Sequence, residues 1–390
     1  MIDEFDYSRP GTDVRFGRGR RDETGEVATN HGDEALVSTT RSAMQEAGFL
    51  DDVLTSLESA GIEASVYEGA QPNPTVADVV DCVETAPDAD LVVALGGGSP
   101  TDVAKAAALS LATFDGVPSV DEVWTYASGE KRPKEAAPLV ALPTTSGTGS
   151  HVDPWAVVTR ADERAKVGFG GGALVPQNAV VDPEILDAMP PDLAARTGFD
   201  AFCHLNEAYV ARTADPLTDA DAIRGMEIVK ENLRRSTEGS KEARDAMAVA
   251  DTLAGFCETT SSTVATHALA HAISAYEPDV AHGEALAAVA PEVAAYNVDN
   301  GDDETKRRYG EVAETLGFPI ADLKLDAPFV ADAFEELLSE IDLDLSVGDL
   351  TDATPEELAE NAAGNMGFVL HNNPAEANEE DLVGILEEAY

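Results

Sequence analysis

The sequence is poor in cysteine and has neither a long apolar run nor a recognisable leader. Its three cysteines, Cys82, Cys203 and Cys257, are odd in number and irregularly spaced, which argues against a disulfide framework and favours a reducing compartment. No apolar run approaches the ~20 residues of a membrane-spanning helix. The opening MIDEFDYSRP lacks a charged-then-apolar pattern. These absences predict a cytoplasmic globular protein without a membrane partner.

Basic residues are also scarce. The chain carries 25 Lys and Arg against 74 Asp and Glu, for a net charge of −49. Because nucleic acids and anionic membranes are also negatively charged, we do not expect either as a partner. The acids are spread along the chain, and the hydrophobic content of 44% is ordinary for a folded protein. Because molar salt shortens the Debye length to about 3 Å and screens self-repulsion, the charge predicts a protein of a salt-accumulating organism.

The first half of the chain alternates strand-like and helix-like stretches. Residues 33–38, 62–68, 91–97 and 138–143 predict strands, and residues 41–57 and 75–86 predict helices. The strands at 91–97 and 138–143 are apolar without alternation, which indicates burial on both faces. This alternation predicts an α/β domain with a parallel sheet.

Helical patterns take over from about residue 186. They cover residues 191–212, 219–235, 242–275 and 284–296, and strand signals vanish. We therefore predict two domains: an α/β dinucleotide-binding domain over residues 1–183 and an all-helical metal-binding domain over residues 184–390.

One stretch of the helical half contains four of the seven histidines, grouped with one carboxylate. Asp200 and His204 are four residues apart and can hold one ion from a single helix, and His267 can join them from a second helix. His282 lies past Pro278 and can close the site from a loop or from the next helix. Three imidazoles and one carboxylate suit a single divalent ion such as Fe²⁺ or Zn²⁺.

The glycine-rich stretch GGGSPTDVAK, residues 96–105, directly follows a buried strand. Its glycines allow a sharp turn and close approach of a ligand, and the free amides of the following helix attract phosphate. We expect Ser99 to cap that helix, with Asp102 completing a capping box. A second loop after a strand, PTTSGTGSHVDPW at residues 143–155, offers the hydroxyls of Thr144, Thr145, Thr148 and Ser150.

Taken in order, GGGSPTDVAK, PTTSGTGS, DPEILDAMPPDLAARTGFDAFCH, HALAH and HG resemble the iron-containing (group III, metal-dependent) alcohol dehydrogenases. The resemblance covers nearly the whole chain, from Phe16-Gly17 to Asn373-Pro374. It implies a dehydroquinate synthase-like architecture, in which a nicotinamide meets a metal-bound alcohol or aldehyde in a cleft between two domains. It also suggests a homodimer.

The resemblance assigns roles to individual residues. It implies the metal ligands Asp200, His204, His267 and His282, and makes His271 an additional active-site histidine close to nicotinamide and substrate. The positions that it implies for cofactor contact are Asn73, Gly98, Ser99, Asp102, Thr144, Thr145 and Lys166. The two loops and the end of the first strand add Gly97, Thr148 and Thr40 as further candidate contacts.

The sequence departs from the family pattern at a few positions. His151 stands where the family usually has glutamate, and Asn206 replaces an apolar residue beside the Asp200 motif. Ala281 replaces a frequent proline, and the stretch from His271 to His282 is about one residue longer than is common. None of these changes removes a ligand, so they bear on the substrate pocket.

The end of the first strand predicts which nicotinamide binds. Relatives that prefer NAD tend to carry an acid there, whereas this chain has Ser38-Thr39-Thr40-Arg41. Hydroxyls and a guanidinium can hold a 2′-phosphate, so we expect NADP to be preferred over NAD.

Other functions stay open on the sequence alone. A glycerol or glycerol-1-phosphate dehydrogenase is disfavoured by the Thr-Thr-Ser-Gly-Thr-Gly loop, and a maleylacetate-type reductase by the intact ligand set. A dehydroquinate-synthase-like lyase would use NAD catalytically without net turnover. A non-enzymatic metal-binding protein would leave GGGSPTDVAK unexplained.

Overall fold

The computed structural model describes residues 7–9, 11–40, 43–319 and 326–390 of the chain. The described residues fall into two compact units. The α/β unit consists of the described residues within Pro10–Glu163 and Val167–Met189, and the helical unit of those within Met1–Arg9, Arg164–Lys166 and Pro190–Tyr390. No helix among the described residues has the length and apolar character needed to cross a membrane.

The α/β unit is built on a six-stranded sheet in which every strand pairing is parallel. The strand order is β1-β8-β5-β4-β2-β3, and β6 and β7 form a separate two-stranded sheet. The strands are β1 Asp13–Phe16, β2 Glu34–Thr39, β3 Glu63–Tyr67, β4 Leu91–Gly96, β5 Leu139–Pro143, β6 Trp155–Arg160, β7 Ala165–Gly170 and β8 Asn178–Val181.

Helices accompany this sheet along the chain. They are α1 Thr24–Ala28, α2 Ala43–Glu46, α3 Phe49–Ser59, α4 Val76–Thr85, α5 Gly98–Thr113, α6 Val120–Ala127 and α7 Pro183–Leu186. The single helix predicted over residues 41–57 was wrong. Gly48 has a φ of 82°, a left-handed conformation that interrupts the helix and separates α2 from α3.

The burial of the central strands explains why their sequences are apolar. Every residue of β4 and of β5 is buried, as expected for parallel strands covered on both faces. Because β2, β4 and β5 are neighbouring and parallel, their carboxyl ends meet at one edge of the sheet. That edge therefore gathers the residues that follow each strand, which is where ligands bind in open α/β sheets.

The helical unit contains the other helices that the structure describes. They are α8 Pro191–Val210, α9 Pro216–Thr237, α10 Lys241–Ser261, α11 Ala265–Tyr276, α12 His282–Asn300, α13 Asp303–Thr315, α14 Ala327–Ser339, α15 Val347–Leu350, α16 Pro355–Asn365, α17 Gly367–Asn372 and α18 Glu379–Ala389. No described residue after Met189 lies in a strand. The predicted fold class, a parallel α/β domain followed by an all-helical one, is thus confirmed.

The one long helix predicted over residues 242–275 is in fact two, α10 and α11. The chain breaks at Ser262, whose φ is 60°. Side chains from elsewhere hold the freed backbone groups: Asn372 Nδ2 donates to the carbonyls of Ser261 (2.8 Å) and Thr263 (3.1 Å). Thr213 Oγ1 also donates to Ser261 O, at 2.6 Å. Tertiary hydrogen bonds thus replace the missing helical ones.

Candidate metal centre and cofactor turn

Three of the four predicted metal ligands converge in the helical unit. Asp200 lies in α8, His267 in the first turn of α11, and His282 is the first residue of α12. One potential ligand atom from each of these residues lies within 4.8 Å of the others. Asp200 and His267 are almost fully buried, so three separate helices present donor atoms to one interior point.

The distances fit one small divalent ion. Asp200 Oδ1 lies 3.7 Å from His267 Nε2 and 3.9 Å from His282 Nε2. Two ligands of a tetrahedral ion with bonds of ~2.1 Å are about 3.4 Å apart, so these gaps are close to those of a coordination shell. Asp200 Oδ1 and His267 Nε2 are also buried, and neither has a hydrogen-bond partner among the described residues. Such atoms are costly to leave unpaired, and a cation would satisfy both.

His204 lies beside this group of three. It follows Asp200 by one helical turn, and its Nδ1 lies 3.5 Å from Asp200 Oδ1. Its Nε2 lies 3.6 Å from Glu258 Oε2 of α10. The His204 and His267 rings are 4.5 Å apart at their centroids. The fourth predicted ligand is therefore next to the ion site, with one ring nitrogen towards Asp200 and the other towards Glu258.

Close helix packing brings His282 to the site. A Cβ atom added at Gly283 would lie only 2.2 Å from the carbonyl oxygen of Arg196 in α8, so glycine allows α12 to touch α8 there. Glu284 then accepts from Ala281 N at 3.0 Å and from Arg196 Nη1 at 3.0 Å, which ties the start of α12 to the same helix. The His-Gly pair of the sequence thus has a packing reason.

Glu207 is a site residue that the sequence reasoning missed. Its side chain is fully buried in α8, and its Oε1 lies 2.6 Å from His267 Nδ1. Burial opposes protonation of His267, but the Glu207 and Asp200 carboxylates outweigh it and raise the pKa of His267 to about 10. The signal was available, because Asp200, His204 and Glu207 follow the i, i+4, i+7 spacing of one helix face.

His271 lies one turn after His267 on α11, and its ring centroid is 5.2 Å from that of His282. Burial, reinforced by the positive charge of Lys166, lowers the pKa of His271 well below its usual value. The same causes lower the pKa of His282. Both rings are therefore neutral near pH 7, as a metal ligand or a proton acceptor must be. Lys166 itself is buried.

The predicted glycine-rich turn joins β4 to α5 in the α/β unit. Helix α5 begins at Gly98, and Gly97 is its N-cap residue without a capping side chain. The expected Ser99 cap and Ser99–Asp102 capping box were therefore wrong, because the helix begins two residues earlier than expected and places Ser99 inside the first helical turn. The first-turn amides consequently lack a side-chain acceptor at the cap, which suits an anionic ligand.

The threonine loop lies directly against this turn. Thr144 N donates to Gly96 O at 3.1 Å. A Cβ added at Gly97 would lie 2.7 Å from Thr145 Oγ1, and one added at Gly98 would lie 2.7 Å from Thr148 Cγ2. The two motifs thus meet at the carboxyl edge of the sheet, and only glycine fits at the contact.

A buried ion pair anchors the same loop. The Lys105 side chain of α5 is fully buried, and its Nζ donates to Ser150 Oγ (2.9 Å), Asp153 Oδ1 (2.7 Å) and Trp155 O (2.6 Å). Ser150 Oγ in turn lies 3.2 Å from Asp102 Oδ1. Burial raises the pKa of Asp102 to about 7, although Lys105 opposes the shift. Asp102 therefore contacts this network through Ser150, and Lys105 fixes the threonine loop to helix α5.

His151, which departs from the family pattern, lies in the same loop and is buried. Burial, and to a lesser degree the charge of Lys105, lower its pKa to about 3. It is thus a neutral ring at ordinary pH.

Two further predicted cofactor positions, Thr40 and Asn73, lie in the chain segments that follow strands β2 and β3. Thr40 follows β2 and forms a bridge with Gly69, and Asn73 has a φ of 52°. The Ser38 hydroxyl donates to Pro100 O at 3.0 Å, so it is committed within the protein. The prediction that it helps to hold a 2′-phosphate was therefore wrong. Arg41 lies outside the described residues.

Comparison with known proteins follows the same division of the chain. Residues 11–183 match the family model "Iron-containing alcohol dehydrogenase", and residues 194–390 match "Fe-containing alcohol dehydrogenase family, C-terminal". Alcohol dehydrogenase 4 of Saccharomyces cerevisiae (strain YJM789) is 31% identical over 96% of both chains. The NADPH-dependent butanol dehydrogenase of Clostridium saccharobutylicum is 34% identical over 78% of this chain and 76% of its own.

A solved structure is similar over the full length. It is an archaeal halo-thermophilic alcohol dehydrogenase from a Red Sea brine pool, with 38% identity, a TM-score of 0.94 and complete coverage of both chains. The two family models together span most of the chain, and the ion site carries the Asp/His/His set found above. The chain therefore belongs to the iron-containing alcohol dehydrogenase family and is an NAD(P)-dependent oxidoreductase.

Proposed function

We propose that the protein interconverts small alcohols and aldehydes with NADP and one divalent ion held by Asp200, His204, His267 and His282. The observation that supports this proposal is the convergence of Asp200, His267 and His282. Two of the converging ligand atoms, Asp200 Oδ1 and His267 Nε2, are buried and have no hydrogen-bond partner among the described residues. His204 is included because its Nδ1 lies 3.5 Å from the same carboxylate oxygen. The ligand chemistry accepts Fe²⁺ or Zn²⁺.

Each partner supplies a different part of the chemistry. When bound, the ion would act as a Lewis acid on the alcohol or carbonyl oxygen, and the nicotinamide would carry the hydride. His267, whose pKa is raised to about 10, would release its Nε2 proton when the ion binds. Asp200 then contributes one negative charge and three neutral imidazoles contribute none, so the protein leaves about one net positive charge on a divalent ion. Because Asp200 and His267 are buried, the local dielectric constant is low, and the charge of the ion acts more strongly on a bound oxygen than it would in water.

His271 is the residue that we propose for proton transfer or for orientation of the nicotinamide. It lies one turn from His267, and its buried Nδ1 has no hydrogen-bond partner in the part of the chain that the structure describes. Its lowered pKa keeps the ring neutral, so it can accept the proton that an alcohol releases on oxidation. A His271→Gln variant should lose kcat while retaining the ion, whereas a fourth-ligand role would lose both.

For the cofactor, we propose contacts from the glycine-rich turn and from the threonine loop. The amides after Gly97 would hold the pyrophosphate, and Asp102 supports the turn through Ser150. Thr144, Thr145 and Thr148 lie against the same turn. Thr40, Asn73 and Lys166 complete the proposed set.

The ion is tested by removal and restoration. The enzyme is purified in roughly molar KCl, chelated, and assayed for NADPH oxidation with simple aldehydes before and after addition of Fe²⁺ or Zn²⁺. We expect chelation to abolish activity and either ion to restore it. His267→Ala should resist restoration, whereas the matched variant at the exposed His371, His371→Ala, should behave as wild type. Undiminished activity of chelated His267→Ala would refute the metal mechanism.

Cofactor preference is a separate proposal. Without the Ser38 hydroxyl, a 2′-phosphate would rely on Thr39, whose buried Oγ1 has no hydrogen-bond partner, on Thr40, and on Arg41. An acid at Thr40 should repel that phosphate. We expect Thr40→Asp to reduce kcat/KM for NADPH about tenfold or more relative to NADH, a change of ~1.4 kcal/mol. Equal or better efficiency of the wild type with NADH would overturn the preference.

We also propose a homodimer, a cytoplasmic location, a salt-accumulating host and domains over residues 1–183 and 184–390. The net charge of −49 supports the host, and sedimentation in molar salt tests the dimer.

A further inference from the structure

We infer that Glu207 is a positioning residue of the metal centre: it fixes which nitrogen of His267 faces the ion and locks helix α11 to helix α8. This inference rests on the proposed ligand set, because it concerns how one of those ligands is held.

Both carboxylate oxygens of Glu207 are engaged. Oε1 lies 2.6 Å from His267 Nδ1, and Oε2 accepts from Val264 N at 2.6 Å. The side chain has no exposed surface, so water does not compete for these bonds. A buried carboxylate is retained only when hydrogen bonds compensate its desolvation. The two short contacts to α11 meet that requirement.

The contact with His267 defines the state of the ring. A carboxylate accepts hydrogen bonds but does not donate them, so Nδ1 must carry a proton. The other nitrogen, Nε2, is buried, has no hydrogen bond to any described residue, and lies 3.7 Å from Asp200 Oδ1. Glu207 therefore directs the lone pair of Nε2 to the ion, and it raises the basicity of the ring as acidic partners of metal-bound histidines do.

The contact with Val264 fixes the position of the helix that carries the ring. Val264 is the N-cap residue of α11 and has no capping side chain of its own. Its amide is instead satisfied by Glu207, and the amide of Ala265 lies 3.4 Å from Asn373 Oδ1. Asn373 is buried and belongs to the Asn-Pro pair at the far end of the sequence resemblance. The break between α10 and α11 is thus held by side chains that reach it from two other segments.

Glu207 consequently links two ligands. It lies seven residues after Asp200, on the same face of α8, and it grips the ring of His267 on α11. A change in the α8–α11 spacing must break one of its bonds before the Asp200–His267 distance can change. The residue therefore sets that distance and the ring orientation together.

The test measures ion affinity, not only turnover. Zn²⁺ affinity is determined by competition with a chromophoric chelator for the wild type, Glu207→Gln and Asp215→Asn. Glutamine keeps the shape but can accept only one of the two bonds, so we expect Zn²⁺ affinity to fall about 10- to 100-fold. Asp215→Asn is the matched control, because Asp215 is a buried carboxylate that caps helix α9 through Leu217 N and Thr218 N. It should retain wild-type affinity.

A second variant separates the two roles of Glu207. Asn373→Ala removes a helix-start acceptor without touching the His267 ring, and we expect a lower melting temperature with Zn²⁺ affinity within about threefold of wild type. Equal losses of affinity in Asn373→Ala and Glu207→Gln would reduce Glu207 to a helix cap and overturn the positioning role. Wild-type affinity of folded Glu207→Gln would overturn it as well.

One measurement needs no Glu207 variant. In ¹⁵N-histidine spectra of the Zn²⁺-loaded wild type, assigned by comparison with His267→Ala, we expect His267 to show a protonated Nδ1 and a metal-bound Nε2. A metal-bound Nδ1 would refute the inference even if Glu207→Gln failed to fold. Failure of the wild type to bind Zn²⁺ would instead refute the proposed ligand set, so the two failures are distinguishable.

Discussion

The contact between the glycine-rich turn and the threonine loop makes a quantitative prediction for Gly98→Ala. The added Cβ would lie 2.7 Å from Thr148 Cγ2, whereas carbon atoms normally approach to about 3.5–4.0 Å. The overlap of roughly 1 Å must be relieved by moving Thr148 or the start of α5. Either movement displaces groups that we propose for cofactor binding.

The size of the effect follows from the cost of overpacking, which is typically about 1–3 kcal/mol. If that cost falls on the bound conformation of the turn, the dissociation constant of NADPH rises by roughly 5- to 140-fold, since ~1.4 kcal/mol corresponds to tenfold. Thr148→Ser removes Cγ2 but keeps the hydroxyl that accepts from Ser150 N. The double variant Gly98→Ala/Thr148→Ser should therefore recover most of the loss.

Fluorescence titration with NADPH measures all four proteins of this cycle. Gly172→Ala serves as the matched control, because a Cβ at Gly172 meets no atom of the described residues within 4 Å. Wild-type affinity of Gly98→Ala would refute the reasoning that glycine is needed at this contact. A double variant as weak as Gly98→Ala alone would show that Thr148 Cγ2 is not the obstacle.

Three further predictions concern stability. The folded-state pKa of His151 is lowered to about 3, below its unfolded value of ~6.5, so the unfolded state binds the proton first and stability is lost as pH falls from about 6.5 towards 3. At about pH 5 this amounts to roughly 2 kcal/mol. In urea unfolding, the unfolding free energy of His151→Gln should not show this loss as pH falls, whereas that of the exposed-site variant His371→Gln should. An equal pH dependence of the unfolding free energy in the two variants would contradict the prediction. Lys105→Met leaves Asp153 buried without its ion-pair partner and should cost about 3–5 kcal/mol of unfolding free energy, so a change below ~1 kcal/mol would contradict the role of the anchor. Dialysis from molar to dilute salt should lower the melting temperature steeply, because the repulsion within a chain of net charge −49 is then no longer screened. An unchanged melting temperature would contradict the prediction that the protein is adapted to high salt.

Local spacing predicted one part of the candidate metal centre, the placement of Asp200 and His204 on one helix face. The four-residue spacing of Asp200 and His204 required only that the segment be helical, and α8 provides that helix. The same spacing places Glu207 on the helix face of Asp200 and His204, so its position could have been predicted as well. Its contact with His267 could not, because no local spacing shows which helices pack together. His282 opens α12, and its approach to α8 depends on the close packing at Gly283.

The errors share a cause as well. The break at Ser262 is stabilised by Asn372 and Thr213, which are remote in sequence, so the helical pattern over residues 242–275 gave no warning. The cap at α5 was misassigned because the backbone of the Gly-Gly-Gly turn, not the presence of a serine, decides where the helix begins. In both places tertiary contacts or glycine freedom override local preference.

The central claim is that one cation is bound by an aspartate and three histidines drawn from three helices. Anomalous diffraction from crystals of the Zn²⁺-loaded enzyme tests it most directly. We predict one strong anomalous peak about 2.0–2.2 Å from Asp200 Oδ1, His267 Nε2, His282 Nε2 and a ring nitrogen of His204. A peak bound elsewhere, or the absence of a peak at these residues in fully active crystals, would contradict the account.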